Sequence, residues 1–247
     1  LLNLIGFFLF VHHRRTTKLA AERVSFVNQV SHELGTPLTN LNLNLDLAEE
    51  FVSIQPEEAK KRLGLVKDEL ARLSRLVANV LTFSRKERDM LKLETEACHP
   101  GKVIEDTIDG FRLILERSNV GIISNLPETP AVLIAPDALS QIMTNLISNV
   151  EKYALGGKKL EVSMIHEKDT LIITISDDGP GIARSQNQQI FAPFKRLSQQ
   201  ATEGVTGVGL GLAISRELAL KMGGSLELVD TSNGASFKLT IPAPPAP

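Results

Sequence analysis

From about Lys18 to Val52 the chain has no cluster of helix breakers, and Val27, Leu34, Leu38, Leu41, Leu45, Ala48 and Val52 recur at spacings of mainly three and four. That period predicts an amphipathic helix of a bundle. The stretch Leu41-Asn42-Leu43-Asn44-Leu45-Asp46-Leu47 alternates as a strand would, but leucine is not β-branched and no turn residues bound it. On a helix the alternation sets Leu41 with Leu45 on one side and Leu43 with Leu47 on another, as suits a helix with two neighbours. After a break at Ser53 to Gln55, Pro56 and two glutamates open a second helix, since proline is tolerated at a first helical position and acids favour the N-terminal turn. Its apolar row is Leu63, Val66, Leu70, Leu73, Val77 and Val80. One hairpin cannot enclose so much apolar surface, so a homodimer closing a four-helix bundle is expected.

Around Cys98, His99 and Pro100 the pattern changes to a mixture of helices and strands. The periods predict helix 101–118, strands near 120–126 and 131–134, helix 136–154, strands 158–167 and 170–177, a long loop 179–206, helix 208–222, and strands 225–230 and 235–241. So long a loop in a compact domain marks a candidate lid. The final Pro242-Ala243-Pro244-Pro245-Ala246-Pro247 cannot form helix or central strand, and a disordered end is expected there. At the other end, Leu1 to Val11 is apolar apart from Asn3 and Gly6 and stops at His12-His13-Arg14-Arg15. The run is shorter than the roughly 20 residues that span a bilayer, but an apolar stretch ending on basic residues is the pattern of the cytoplasmic end of a transmembrane helix. A signal-peptide remnant or a buried helix end would share it. The expected organisation is 1–15 membrane helix end and basic flank, 16–95 helical hairpin, 96–242 mixed domain and 243–247 tail.

Composition restricts the partners. With 27 Lys and Arg against 29 Asp and Glu, the net charge of −2 offers no general attraction for nucleic acid. A single cysteine, Cys98, excludes an internal disulfide and cysteine-based metal sites, which suits a reducing compartment.

Candidate chemistry is concentrated in short runs. On the first helix, His32 and Thr36 lie one turn apart and are expected to face solvent; a neutral imidazole there has a ring nitrogen free to act as a nucleophile, and Glu33 beside it can orient the other nitrogen and take its proton. The surrounding Phe26-Val27-Asn28-Gln29-Val30-Ser31-His32-Glu33-Leu34-Gly35-Thr36-Pro37-Leu38-Thr39 resembles the phospho-acceptor box of sensor histidine kinases. In that family the acidic residue after the histidine and the threonine three positions on also serve dephosphorylation of the partner, which implies that role for Glu33 and Thr36. Gly35 departs from the arginine common at this place, and a glycine followed closely by Pro37 predicts a soft helix just beyond His32.

Four more runs carry the resemblance. In Gln141-Ile142-Met143-Thr144-Asn145-Leu146-Ile147-Ser148-Asn149-Val150-Glu151-Lys152-Tyr153, residues Asn145, Asn149 and Lys152 form a polar stripe at i, i+4 and i+7, beside the apolar Ile142, Met143, Leu146 and Val150. Asparagine oxygens suit Mg²⁺ and lysine suits phosphate. The run resembles the family's asparagine box, which implies Asn149 as the Mg²⁺ ligand and Asn145, Lys152 and Tyr153 around the nucleotide. Asp177-Asp178-Gly179-Pro180-Gly181-Ile182 is good turn chemistry in its own right and also resembles the first glycine box, implying adenine recognition by Asp177 with Gly179 and Gly181 giving the base close passage. Ile190-Phe191-Ala192-Pro193-Phe194-Lys195-Arg196 resembles the phenylalanine box, with Lys195 and Arg196 as charges for the γ-phosphate. Gly207-Val208-Gly209-Leu210-Gly211 resembles the second glycine box, where Gly207, Gly209 and Gly211 lead into a helix whose N–H groups form a phosphate site.

Five boxes in the family's order imply a multidomain α and α/β protein: a dimeric four-helix-bundle hairpin followed by an α/β sandwich of the Bergerat ATP-binding fold. They imply an ATP- and Mg²⁺-dependent protein-histidine kinase of a two-component system. It would phosphorylate His32, pass the phosphoryl group to an aspartate of a separate response regulator receiver domain and dephosphorylate that partner. They also imply an inner-membrane protein with its catalytic part in the cytoplasm.

Overall fold

The computed structural model describes residues 2–153, 157–195, 207–231 and 233–247, with side chains of the first helix described from Val27 onward. The chain divides into two compact units, Leu1–Ser74 with Thr206–Val208, and Arg75–Val205 with Gly209–Pro247. The division falls inside a helix, upstream of the change of pattern near residue 96, because the last turns of that helix pack with elements of the second unit.

The first unit is a hairpin of α1 (Leu2–Phe51) and the beginning of α2 (Pro56–Glu87). The turn between them is closed by the Phe51 carbonyl, which accepts from the N–H groups of Ile54 and Gln55 at 3.1 and 2.7 Å. Glu57 and Glu58 occupy the first turn of α2, where negative charge meets the positive end of the helix dipole. The buried seam is narrow, formed by Pro37, Leu41 and Ala48 from α1 with Ala59 and Val66 from α2. Most of the expected apolar row stays in water in the single chain: Leu38 is 52% exposed and Leu70 50%. Among the described residues no helix is long and apolar enough to cross a membrane. The apolar and basic run at 1–15 has its side chains outside the described residues.

In the second unit, β1 (Glu96–Cys98) pairs antiparallel with β3 (Val132–Ile134). The main sheet has five strands in the order β2-β4-β5-β7-β6: β2 (Gly121–Asn125), β4 (Lys159–Glu167), β5 (Thr170–Asp177), β7 (Ser236–Pro242) and β6 (Ser225–Val229). The β2 to β4 pairing is parallel and the other pairings are antiparallel. Helices α3 (Pro100–Arg117), α4 (Pro136–Tyr153) and α5 (Gly211–Lys221) supply the other layer. Alternation along β5 drives the layering, with Leu171, Ile173 and Ile175 buried and Ile172, Thr174 and Ser176 on the other face. From the helical layer Ile104, Ile108, Leu139, Ile142, Met143 and Ile147 are completely buried as well. Each such side chain is worth roughly 1.5–3 kcal/mol over its exposed state.

One strand, β1, was not expected, and three local expectations are corrected. β1 is too short to show a period, and two 3₁₀ turns, Arg184–Gln186 and Gln189–Phe191, interrupt the predicted loop. Helix α5 begins at Gly211 rather than 208. The tail expected to be disordered lies along β3 instead: Leu133 N–H donates to the Pro244 carbonyl at 2.9 Å and Ala246 N–H to the Ala131 carbonyl at 2.8 Å, while Ala243 is wholly buried. A free strand edge accepts prolines, because their carbonyls still accept and the alanines supply the N–H groups.

Candidate functional site

On α1 the helix turns about 100° per residue, and this separates His32 from Glu33. His32 and Thr36 are exposed, as expected, whereas Glu33 is only 7% exposed and lies 3.7 Å from Arg72 of α2, which also holds Glu69 at 2.9 Å. The buried row is Glu33, Pro37 and Leu41, not the Leu34 and Leu38 row that the spacing suggested. Glu33 is therefore engaged in the hairpin rather than with the imidazole. The Thr36 hydroxyl donates back to the His32 carbonyl at 3.5 Å, and Thr39 donates to the Gly35 carbonyl at 3.1 Å. The helix continues through Gly35 and Pro37, and a Cβ at Gly35 would meet open space.

On α4 the asparagine stripe divides. Asn145 is buried and committed within the protein: its Nδ2 donates to the Gly211 carbonyl and to Ser215 Oγ, both at 3.2 Å, and its Oδ1 accepts from Asn79 Nδ2 at 2.9 Å. The amide that the resemblance sets among the residues around the nucleotide has these protein groups as its partners. One turn on, Asn149 is half-buried, as is Lys152, while Tyr153 is exposed at the end of the helix. Among the described residues no cluster of His, Cys, Asp or Glu could hold a metal by itself. Asn149 offers an amide oxygen, a donor of the kind that would suit Mg²⁺.

At the end of β5, Asp177 Oδ1 accepts from Gly179 N–H at 2.9 Å and Ala235 N–H at 3.3 Å. Burial pushes its carboxyl above the usual range, these two N–H groups oppose the shift, and the charge of Asp178 adds to it. Asp178 faces the other way, its Oδ1 accepting from the N–H groups of Lys158 and Lys159 at 2.7 and 2.8 Å; the Lys159 bond does most to hold it below the usual range. Gly234, at φ +70°, passes so close that a Cβ would collide with the Asp177 carbonyl, and a Cβ on Gly181, at φ +73°, would stand 2.7 Å from the Gly234 carbonyl. Gly234 and Ala235 were not among the expected site residues. Their one sequence signal is the turn dipeptide Asn233-Gly234 before the last strand.

The phenylalanine and second glycine boxes meet. Phe194, at φ +64°, donates its N–H to the Gly209 carbonyl at 3.0 Å. Gly209 itself is at φ +71°, and a Cβ there would lie 3.0 Å from the Lys195 carbonyl. Phe194 stacks edge-on to Phe83 with ring centres 5.3 Å apart. Lys195 is exposed, and Arg196 lies outside the described residues. Gly207 groups with the first unit and is sterically unconstrained. Helix α5 starts at Gly211 without a side-chain cap, leaving first-turn N–H groups for an anion.

The fold and the site define a helical hairpin with an exposed histidine, followed by an α/β ATPase domain with glycine-bounded edges. Residues 22–89 match the His Kinase A (phospho-acceptor) domain, and residues 134–245 match the histidine kinase-, DNA gyrase B-, and HSP90-like ATPase family. The sensor histidine kinase WalK of Bacillus subtilis is 31% identical over 230 residues, covering 92% of this chain and 37% of the relative. The sensor protein SrrB of Staphylococcus aureus is 28% identical over 220 residues, covering 89% of this chain and 38% of the relative. Among solved structures, the Acinetobacter baumannii histidine kinase AdeS superposes with a TM-score of 0.59 at 26% identity, covering 85% of this chain and 97% of that one. The chain belongs to the sensor histidine kinases of two-component systems. It spans less than two-fifths of the length of the curated relatives it matches.

Proposed function

We propose that this chain is the kinase core of its protein, transferring the γ-phosphoryl group of ATP to His32 and from there to an aspartate of a response regulator receiver domain. The observation that supports it is the pairing, in one chain, of an exposed histidine on the hairpin with a half-buried aspartate in a glycine-walled niche of the sheet domain. In the first step a bond forms between an imidazole nitrogen of His32 and the γ-phosphorus while the bond from that phosphorus to the β,γ-bridging oxygen breaks, and ADP leaves. Asp177 accepts a hydrogen bond from the adenine amino group, Gly179 and Gly181 let the backbone approach the base, and Lys152 and Tyr153 serve the nucleotide. Lys195 and Arg196 bring charge to the γ-phosphate, and the glycines at 207, 209 and 211 lead into the helix whose N–H groups meet the phosphates. Mg²⁺, when bound at Asn149, supplies charge neutralisation for phosphoryl transfer. Glu33 takes the imidazole proton once its carboxylate turns away from Arg72. Thr36, exposed beside His32, orients water for dephosphorylation of the partner.

The half-exposed apolar rows of α1 and α2 support a homodimeric bundle, and the apolar run before Arg14 and Arg15 supports an inner-membrane anchor with the catalytic part in the cytoplasm. Incubation of the chain with labelled ATP and Mg²⁺ should yield label that is lost in acid, as phosphohistidine is. His32→Gln should abolish it while nucleotide binding stays unchanged. Acid-labile label on the variant would overturn the assignment.

A further inference from the structure

The Asn145 amide has both its N–H donors and its oxygen engaged, and its orientation is dictated. The Gly211 carbonyl can only accept, so Nδ2 of Asn145 must face it; Oδ1 then faces Asn79, whose own nitrogen must point back. Asn79 Oδ1 in turn accepts from Gln141 Nε2 at 3.2 Å. Gln141 is held by the buried Thr82, whose hydroxyl lies 3.0 Å from Nε2 and 3.2 Å from Oε1. Three amides thus form a directed chain from the end of α2, across α4, to the first residue of α5. Ser215, 0% exposed, closes the chain one turn into α5.

We propose that Asn79 and Ser215 are positioning residues for the phosphate-binding end of α5, acting through Asn145; the proposal rests on the nucleotide reading above. The N–H groups at the start of α5 serve a phosphate only if the first turn is aimed. Gly211 has no side chain with which to anchor itself, and its Cα is packed so that a Cβ would touch the Asn145 amide at 3.5 Å. Asn145 supplies the anchor, and the donor on Asn79 keeps Asn145 from turning its oxygen onto the Gly211 carbonyl. Because Asn79 stands on α2, a continuous helix from Pro56 to Glu87, rotation of α2 about its axis would withdraw that donor and loosen the start of α5. The helix then influences the nucleotide site by a route that does not pass through His32.

The test compares full-length chains carrying Asn79→Asp, which keeps the shape and removes the donor, Asn79→Ala, which adds no charge, Ser215→Ala, and the double variant Asn79→Ala with Ser215→Ala. Binding of adenosine and of a non-hydrolysable ATP analogue is measured by calorimetry beside thermal melting. Each single variant should weaken the analogue by about three- to tenfold, the scale of one hydrogen bond, with adenosine affinity unchanged. The double variant should lose less than the product of the single losses, because both act on Asn145. Normal analogue affinity in the variants, equal loss of adenosine and analogue, or multiplicative losses would each overturn the relay. Failure of the unsubstituted chain to bind either ligand would instead overturn the nucleotide reading.

Discussion

The two compact units bury their apolar residues by different means. In the second, an alternating strand such as β5 meets helices whose inward faces are complete, so Leu171, Ile173, Ile142 and Ile147 are fully removed from water within one chain. In the first, α1 and α2 cover each other only along a seam of small and medium residues, and Leu38, Leu45, Leu63 and Leu70 remain 40–52% exposed. A sheet covered by helices can close its own core, whereas two helices have too little mutual surface to do so. The difference supports the proposed division, with self-contained binding in the second unit and assembly through the first.

The largest expected effect separates the units by core truncation. Ile147→Ala should cost the second unit about 2–5 kcal/mol, the range for deleting a buried aliphatic side chain. Leu70→Ala should cost a single hairpin well under about 1 kcal/mol, yet lower the concentration-dependent melting temperature of an assembled bundle. Denaturant and thermal melts at several protein concentrations read both. Concentration-independent, unshifted melting of Leu70→Ala would remove the assembly half of the comparison.

A smaller contrast is built into two neighbouring residues. Burial raises the Asp177 pKa, so between the unfolded and folded values the native state holds the extra proton and stability falls as pH rises through that window. Above that window the ionised Asp177 is a cost to the fold, and Asp177→Asn should there melt at an equal or higher temperature while losing most ATP affinity. Asp178 behaves oppositely. Its pKa is lowered, chiefly by the Lys159 N–H, so its contribution is present above the unfolded pKa and is lost as pH falls through the folded value. Asp178→Asn should therefore melt lower at neutral pH and converge with the unsubstituted chain in acid. Melting curves across the acid range test the pair, and shifts of the same sign in both variants would contradict the opposed environments.

The smallest effect concerns Gly35 in the first unit. With open space at its Cβ, Gly35→Ala should stabilise α1 by up to about 1 kcal/mol. If softness beyond His32 serves switching, the ratio of autophosphorylation to phosphatase rate should shift as well. A rise in melting temperature with an unchanged ratio would mean that the glycine is only tolerated.

What the sequence determined by itself was everything governed by short spacing. Helical and strand periods placed α4 and β5 within a residue of their observed ends, Pro56 marked the start of α2, and the boxes showed where His32, Asn149, Asp177 and Gly211 stand along the chain. Tertiary structure alone decided the pairings between distant residues. Glu33 is committed to Arg72 because only the folded hairpin sets them face to face. Gly234 must be glycine because β7 begins against the end of β5, and the proline tail is ordered because β3 has an edge to offer it. Asn145 became an internal anchor because α2, α4 and α5 converge on it. A local pattern records which face of an element is polar; which donor will satisfy that polarity depends on contacts made only when the chain has folded.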